Sequence, residues 1–213
     1  MYLGLDFGTS SVKGVVIDAR QKIVAAASAP LSANSASKSI TVPLKPMLGR
    51  VAVAPAGAEA FAGLWPGDFG GNLDASDVRE GATVYLPVFH EGALFYFGDG
   101  HALQGDGEII GSGLETTMDV TFQFDLIKGQ RIRWPRIEDD EFIMVAGSVR
   151  PLVDAMRIAY VELIEWLMAD YGFEKMEAFQ IASQLGVVRV ANIVDPNYTV
   201  VAKFPKRHLP VRR

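Results

Sequence analysis

Asp99, His101, Asp106 and Glu108 fall within ten residues, spaced by glycine, in the segment Gly92-Ala-Leu-Phe-Tyr-Phe-Gly-Asp-Gly-His-Ala-Leu-Gln-Gly-Asp-Gly-Glu108. In an extended strand alternate side chains share a face, which pairs Asp99 with His101 and Asp106 with Glu108. The link Ala102-Leu103-Gln104-Gly105 lets the chain turn back, so that all four converge. One imidazole and three carboxylates suit Zn²⁺, Mn²⁺ or Ca²⁺. The same composition also describes a Gly/Asp-rich hairpin loop, because both residues dominate turns for conformational reasons alone. The residue types leave both readings open.

The elements that would position this segment are mostly strands. Thr83 to Phe89 and Ala93 to Phe97 flank Glu91-Gly92, a two-residue hairpin signature. Glu108 to Glu115, Met118 to Asp125, Arg131 to Trp134 and Phe142 to Val145 read as further strands, and Val51 to Ala54 as a short one. Ala56 to Leu64 and the Gly/Pro/Asp block Pro66 to Asp74 read as loops.

The carboxyl-terminal part changes period. Leu152, Met156, Ala159, Leu163 and Leu167 recur at helical spacing, with Ser148 as cap, Pro151 in the first turn and Gly172 as stop. Met156, Tyr160, Trp166 and Met168 read as core, and Arg157, Glu162 and Glu165 as a solvated face. A second helix is expected over Lys175 to Leu185, ending at Gly186. Val187 to Val194 and Tyr198 to Phe204 then close the fold around the turn Asp195-Pro196-Asn197, and the basic tail from Lys203 reads as a solvated terminus. The expectation is a mixed α/β (α+β) protein: an antiparallel meander or partial barrel, an amino-terminal hairpin and two late helices.

At the amino terminus Tyr2 to Phe7 and Val12 to Asp18 are strand-like around Gly8-Thr-Ser-Ser11, and Lys22 to Ala29 forms a third strand. These strands are expected to extend a sheet that would otherwise keep an open edge. Ala33 to Ser39 is small, polar and aperiodic, as a linker is.

Composition bounds the partners. A chain of 213 residues, 49% hydrophobic, can bury a sizeable core. Its net charge of −5 argues against nucleic acid or anionic membranes, since phosphate binding needs a basic face. Without cysteine there is no disulfide frame, thiolate zinc site or cysteine nucleophile. No apolar run approaches the ~20 residues of a membrane span, and Asp6 interrupts the first one, so the expected location is cytoplasmic.

Four blocks resemble the acetamidase/formamidase family: Gly49-Arg-Val-Ala-Val-Ala-Pro55, Pro66-Gly-Asp-Phe-Gly-Gly-Asn-Leu-Asp74, Gly81-Ala-Thr-Val-Tyr-Leu-Pro-Val88 and the Gly92–Glu108 segment. The likeness runs from about Pro43 to Lys206. Residues 1–37, in contrast, resemble the first hairpin of xylulokinase-type sugar kinases, with Asp6, Gly8, Thr9, Ser10 and Lys13 matching a phosphate loop. Such a loop without its partner loops has nothing to close over a nucleotide, which makes it a relic. The chain thus reads as a chimera: a kinase-like hairpin over 1–37 and an amidase-like domain over 38–213, packed as one unit.

The family resemblance implies hydrolysis of formamide or acetamide to the carboxylate and ammonia. Placed on this chain, that chemistry takes Asp99, His101 and Asp106 as ligands of a divalent metal, zinc before calcium or manganese. Glu108, with Asp106, would carry the proton, and Asn72 and Asp74 would orient an amide that offers both donor and acceptor. Glu115 is a lesser candidate, and His90 reads as a surface residue beside the hairpin tip. The family's His-Xaa-Xaa-Thr-Gly-Pro and Gly-Ala-Xaa-Pro-Gly-Asp blocks do not occur here. The alternative is therefore an inactive fusion that serves as a self-associating scaffold. Exposed sheet edges imply a homo-oligomer in either case.

Overall fold

The computed structural model describes residues 42–212, with the backbone of residues 16–17 and 23–25. Strands β1 (Val16–Ile17) and β2 (Ile23–Ala25) pair antiparallel, inside two of the expected amino-terminal strands. Among the described residues they pair only with each other and do not lengthen a larger sheet. The strand expected over 2–7, the turn with Asp6, Gly8, Thr9 and Ser10, and the linker over 33–39 lie outside the described residues.

Two open antiparallel sheets form the body, and among the described residues neither closes into a barrel. β3 (Met47–Ala52), β4 (Gly70–Asn72), β6 (Tyr96–Leu103) and β7 (Leu114–Glu115) form one sheet in the order β4-β3-β6-β7. β5 (Thr83–Tyr85), β8 (Arg136–Glu138), β9 (Phe142–Val149), β10 (Val187–Asn192) and β11 (Tyr198–Pro205) form the other, ordered β10-β11-β9-β8-β5.

The apolar run of β9 explains the layering. Ile143 and Val145 point to one face, against Leu163, Trp166 and Leu167, while Met144 and Ala146 point to the other, against Leu48, Val51 and Leu73. A strand buried on both sides needs apolar residues at consecutive positions, not alternate ones. The five-stranded sheet is thereby the middle layer, between the helices and the four-stranded sheet.

Helices α1 (Leu152–Tyr171) and α2 (Lys175–Leu185) fall where their periodicity places them. Gly172 stops α1 in the left-handed conformation, φ 73°, and its N–H donates to Met168 O. Ser148 is not the cap. It lies in β9 with its hydroxyl 3.0 Å from that of Thr199, and Pro151 occupies the cap position. Glu174 and Glu177 form a capping box at the start of α2. Met156 is 37% exposed rather than core. Glu162, expected on a solvated face, is buried, with Oε1 accepting from Arg136 Nη2 at 2.6 Å and Nε at 3.1 Å. Its partner comes from a strand 26 residues away, which helical spacing cannot reveal.

The hairpin expected at Glu91-Gly92 does not form: β5 pairs with β8, and β6 with β3 and β7. Pro87 lacks an N–H and cuts the first strand short, while Ala93 and Leu94 take positive φ and delay the second. Of the strands expected over 108–115 and 118–125, only Leu114–Glu115 forms, and the strand expected over 131–134 lies at Arg136–Glu138. His90 is half-buried, with Nε2 2.8 Å from Pro55 O. The tail is not loose. Lys203 is buried against Asp77 at 2.5 Å, and Arg212 pairs with Asp170 and Glu138.

Glu138 anchors the tail, with Lys206 Nζ at 2.8 Å and the Tyr85 hydroxyl at 2.9 Å. Burial would raise its carboxyl, but the Lys206 and Tyr85 hydrogen bonds outweigh that and hold it below the usual range. A depressed carboxyl stabilises the fold above its unfolded pKa, and that stability is lost as pH falls through the folded value. Glu138→Gln should therefore be less stable than the parent at pH 7, with the gap narrowing toward pH 3 on the usual carboxyl scale. Urea midpoints at the two pH values measure it. A gap that stays constant is the contrary result.

Candidate active site

His101 lies on β6 between the two sheets and is 1% exposed. Across the ladder, β7 places Glu115 opposite it, with Oε1 3.1 Å from His101 Nε2. Asp99 sits two residues back on the same face, Oδ1 3.6 Å from Nε2, as strand alternation requires. Glu108 Oε1 approaches to 3.9 Å from the loop after β6. The other ring nitrogen, Nδ1, is 2.8 Å from Gln104 Oε1.

A second group of acids closes the site from below. Asp74, just past β4, is fully buried, and its Oδ2 accepts from Asn72 Nδ2 at 2.6 Å. Asn72 Nδ2 also donates to Asp195 Oδ2 at 2.9 Å, and its Oδ1 accepts from Arg50 Nη2 at 2.8 Å. All polar atoms of Asn72 are thus engaged within the protein. Arg50 Nη2 lies 3.7 Å from Asp99 Oδ2. No donor reaches Asp74 Oδ1.

Glycine at position 49 makes this crowding possible. A Cβ there would stand 2.5 Å from Asp74 Oδ1 and 2.7 Å from Asp99 Oδ2, where no side chain fits. The backbone is strained at the same place: Asp74 (φ 46°), Asp99 (φ 62°) and Glu108 (φ 43°) all hold left-handed conformations. Each costs on the order of 1 kcal/mol or more, and such costs cluster where a fold must aim a functional group.

The electrostatics follow from the crowding. Burial, then Glu108, Asp195 and Asp99, push the Asp74 carboxyl far above the usual range. Burial also raises Glu108 and Asp195. Burial alone would lower His101, but hydrogen bonds to Asp99 and Glu115 reverse that and raise it to about 11. Its hydrogen bond in turn holds Asp99 below the usual value. The cluster demands positive charge at its centre, which an imidazolium or a metal cation supplies.

Two ligand sets share His101: Asp74, His101 and Glu108, all buried, and Asp99, His101 and Glu115, open to solvent. In each set the ligand atoms lie within 4.8 Å of one another. The unpartnered Asp74 Oδ1, the space held open by Gly49 and a donor set of one imidazole and two carboxylates fit a divalent cation.

Asp99, His101, Glu108 and Asp74 are therefore brought together, as the spacing and the family blocks led us to expect. Asp106 is not. Gly107 (φ 86°) and Glu108 leave the extended conformation, so residues 106 and 108 do not share a face. Asp106 projects outward, where Arg189 Nε donates to its Oδ1 at 2.9 Å. Sequence reasoning underrated Glu115 and missed Arg50, Gln104 and Asp195. Gln104 read as a spacer and Asp195 as a turn residue. Only strand pairing, which sets Glu115 against His101, and the β10–β11 turn bring them in.

Comparisons with known proteins identify the family. A profile of the Acetamidase/Formamidase family matches residues 9–208. The match runs unbroken through the expected join near residues 37–43, and nothing in the comparisons supports a kinase-type amino terminus. The chain is 40% identical to an acetamidase of Mycolicibacterium smegmatis over 88 residues, 41% of this chain and 21% of that protein. It is 39% identical to a formamidase of Methylophilus methylotrophus over 66 residues, 30% of this chain and 16% of that one. A solved acetamidase from Yersinia enterocolitica superposes with a TM-score of 0.77 at 46% identity, covering 80% of this chain and 52% of that one. One from Bacillus halodurans gives 0.75 at 34% identity, covering 79% and 57%. The chain thus spans about half the length of these solved relatives.

Proposed function

The chain belongs to the acetamidase/formamidase family, and on that premise we propose that it hydrolyses short linear amides such as formamide and acetamide, releasing ammonia, at the His101 cluster. The observation that carries the reading is the buried Asp74–His101–Glu108 set with its unpartnered Asp74 oxygen, a place made for a cation. Asp74, His101 and Glu108 would hold the metal, zinc before calcium or manganese. Glu108, expected as the proton carrier, would then be a ligand.

A divalent cation held by these residues would supply polarisation of the amide carbonyl and a lowered pKa for the attacking water. The remaining steps belong to the chain's own groups. Glu115, with a side chain 51% exposed beside His101, takes the water's proton and returns it to the departing nitrogen, exchanging with bulk solvent between turnovers. Arg50 and Asp99 form a donor–acceptor pair at the half-exposed rim, matched to an amide's own acceptor and donor. Asn72 acts through Arg50, holding its guanidinium in place.

The test is ammonia release from formamide and acetamide by the zinc-loaded chain. Turnover should disappear after chelation and return when Zn²⁺ is restored. A folded, zinc-loaded chain that releases no ammonia overturns the reading.

The same reading includes self-association. Leu94, Ile110, Phe124 and Leu126 are each more than 60% exposed, and among the described residues both sheets keep open outer strands, β4 and β7 in one and β10 and β5 in the other. Light scattering should give a mass of at least twice 23.1 kDa, and a monomer at micromolar concentration contradicts it. Among the described residues no helix is long and apolar enough to cross a membrane.

A further inference from the structure

Gln104 is 8% exposed and hydrogen-bonded on both sides of its amide. Its nitrogen donates to Asp74 O at 2.5 Å and to Ala191 O at 3.2 Å. Both partners are backbone carbonyls, which accept and cannot donate. Turning the amide over would set its oxygen against two oxygens, so its orientation is chemically determined. The amide oxygen is thereby committed to His101 Nδ1, 2.8 Å away. An oxygen without hydrogen requires that Nδ1 carry the proton. The lone pair of neutral His101 is then on Nε2, the nitrogen that faces Glu115, Asp99 and Glu108.

We propose that Gln104 is a positioning residue that locks His101 in the Nδ1–H tautomer and so presents Nε2 as the ligand nitrogen. The inference rests on the metal reading above but concerns a different residue, one that touches neither cation nor substrate. It also ties the site together mechanically. One amide joins β6 to the chain after β4 and to β10, so the ligand His101, the ligand Asp74 and the second sheet share a single anchor. Partners of this kind orient a ligating imidazole, and their loss typically costs 10- to 100-fold in metal affinity.

The experiment compares the parent chain with Gln104→Met, which keeps volume but offers neither donor nor acceptor, and Gln104→Glu, which keeps the acceptor toward Nδ1. Zinc affinity is read by competition with a chromophoric chelator, and the proton-bearing nitrogen of His101 by long-range ¹H–¹⁵N correlation, with and without Zn²⁺. In the parent, Nδ1–H should be slow to exchange in both states, with Nε2 ligated when zinc is present. With zinc bound, Gln104→Met should lose the protected Nδ1–H and about 10- to 100-fold in zinc affinity, while Gln104→Glu should keep the acceptor for Nδ1–H but lose part of the affinity, because its second oxygen meets the Asp74 and Ala191 carbonyls. A parent without a protected Nδ1–H, or Gln104→Met matching the parent in tautomer and affinity, overturns the inference even when zinc binds. A parent that takes up no Zn²⁺ overturns the metal reading, and an Nδ1–H whose protection is lost in Gln104→Met still leaves the Gln104 contact with His101 standing. Should Gln104→Met fail to fold, the parent alone decides, since an unprotected Nδ1–H there overturns the proposal.

Discussion

His101→Ala is expected to lower turnover of formamide and acetamide by about 10³-fold or more, with loss of zinc binding of comparable size. A catalytic cation contributes several kcal/mol of charge stabilisation, and each 1.36 kcal/mol is a factor of ten. His101 is the one residue common to both possible ligand sets, so its removal dismantles each. It is also the positive group that Asp99, Glu108 and Glu115 face, and without it those carboxylates repel. Steady-state ammonia release and chelator competition measure the two losses. Activity within tenfold of the parent at saturating zinc would place the chemistry elsewhere. The variant should still fold, because the Leu163, Trp166 and Phe204 core lies on the far side of the middle sheet.

The opposite pattern is expected of Glu162→Ala. Glu162 is 1% exposed and takes two hydrogen bonds from Arg136, whose side chain is 7% exposed and lies 4.9 Å from the Trp166 ring centre. Removing the carboxylate leaves a buried guanidinium with no counter-charge, a change that typically costs about 3–5 kcal/mol. For a chain of this length that lowers Tm by roughly 6–20 °C. Turnover per folded molecule should stay within a few-fold, since Arg136 and Glu162 belong to the helix side of β8 and not to the His101 cluster. The double variant Glu162→Leu, Arg136→Met should recover most of the loss, because a well-packed apolar pair avoids the desolvation of both charges. A single variant that melts with the parent would show that solvent already compensates Arg136.

These two variants separate what the sequence determined from what it could not. Local pattern was enough for α1 and α2, for the turn at Asp195-Pro196-Asn197, for β10 and β11 and for the first half of β9, because period, stop signals and apolar runs act over a few residues. It also brought Asp99 to His101, since two residues on one strand share a face by geometry. The spacing also offered Glu108, and the family blocks added Asp74. Pairing partners were another matter. The Glu91-Gly92 signal suggested a hairpin, yet the strands on either side belong to different sheets. Glu162 looked solvated until Arg136 arrived from β8, and Lys203 looked like a tail until Asp77 closed on it.

Asp106 and Glu115 show the same division within the site. Alternation put Asp106 beside Glu108 and left Glu115 as an afterthought. Positive φ at Gly107 and Glu108 turned Asp106 outward to Arg189, and the β6–β7 register set Glu115 across from His101. The sequence alone determined the kinds of residue available for chemistry and the short-range faces they occupy. Tertiary structure decided which of them meet, because charge pairs and ladder partners are chosen by packing between segments tens of residues apart, where no local period carries the information.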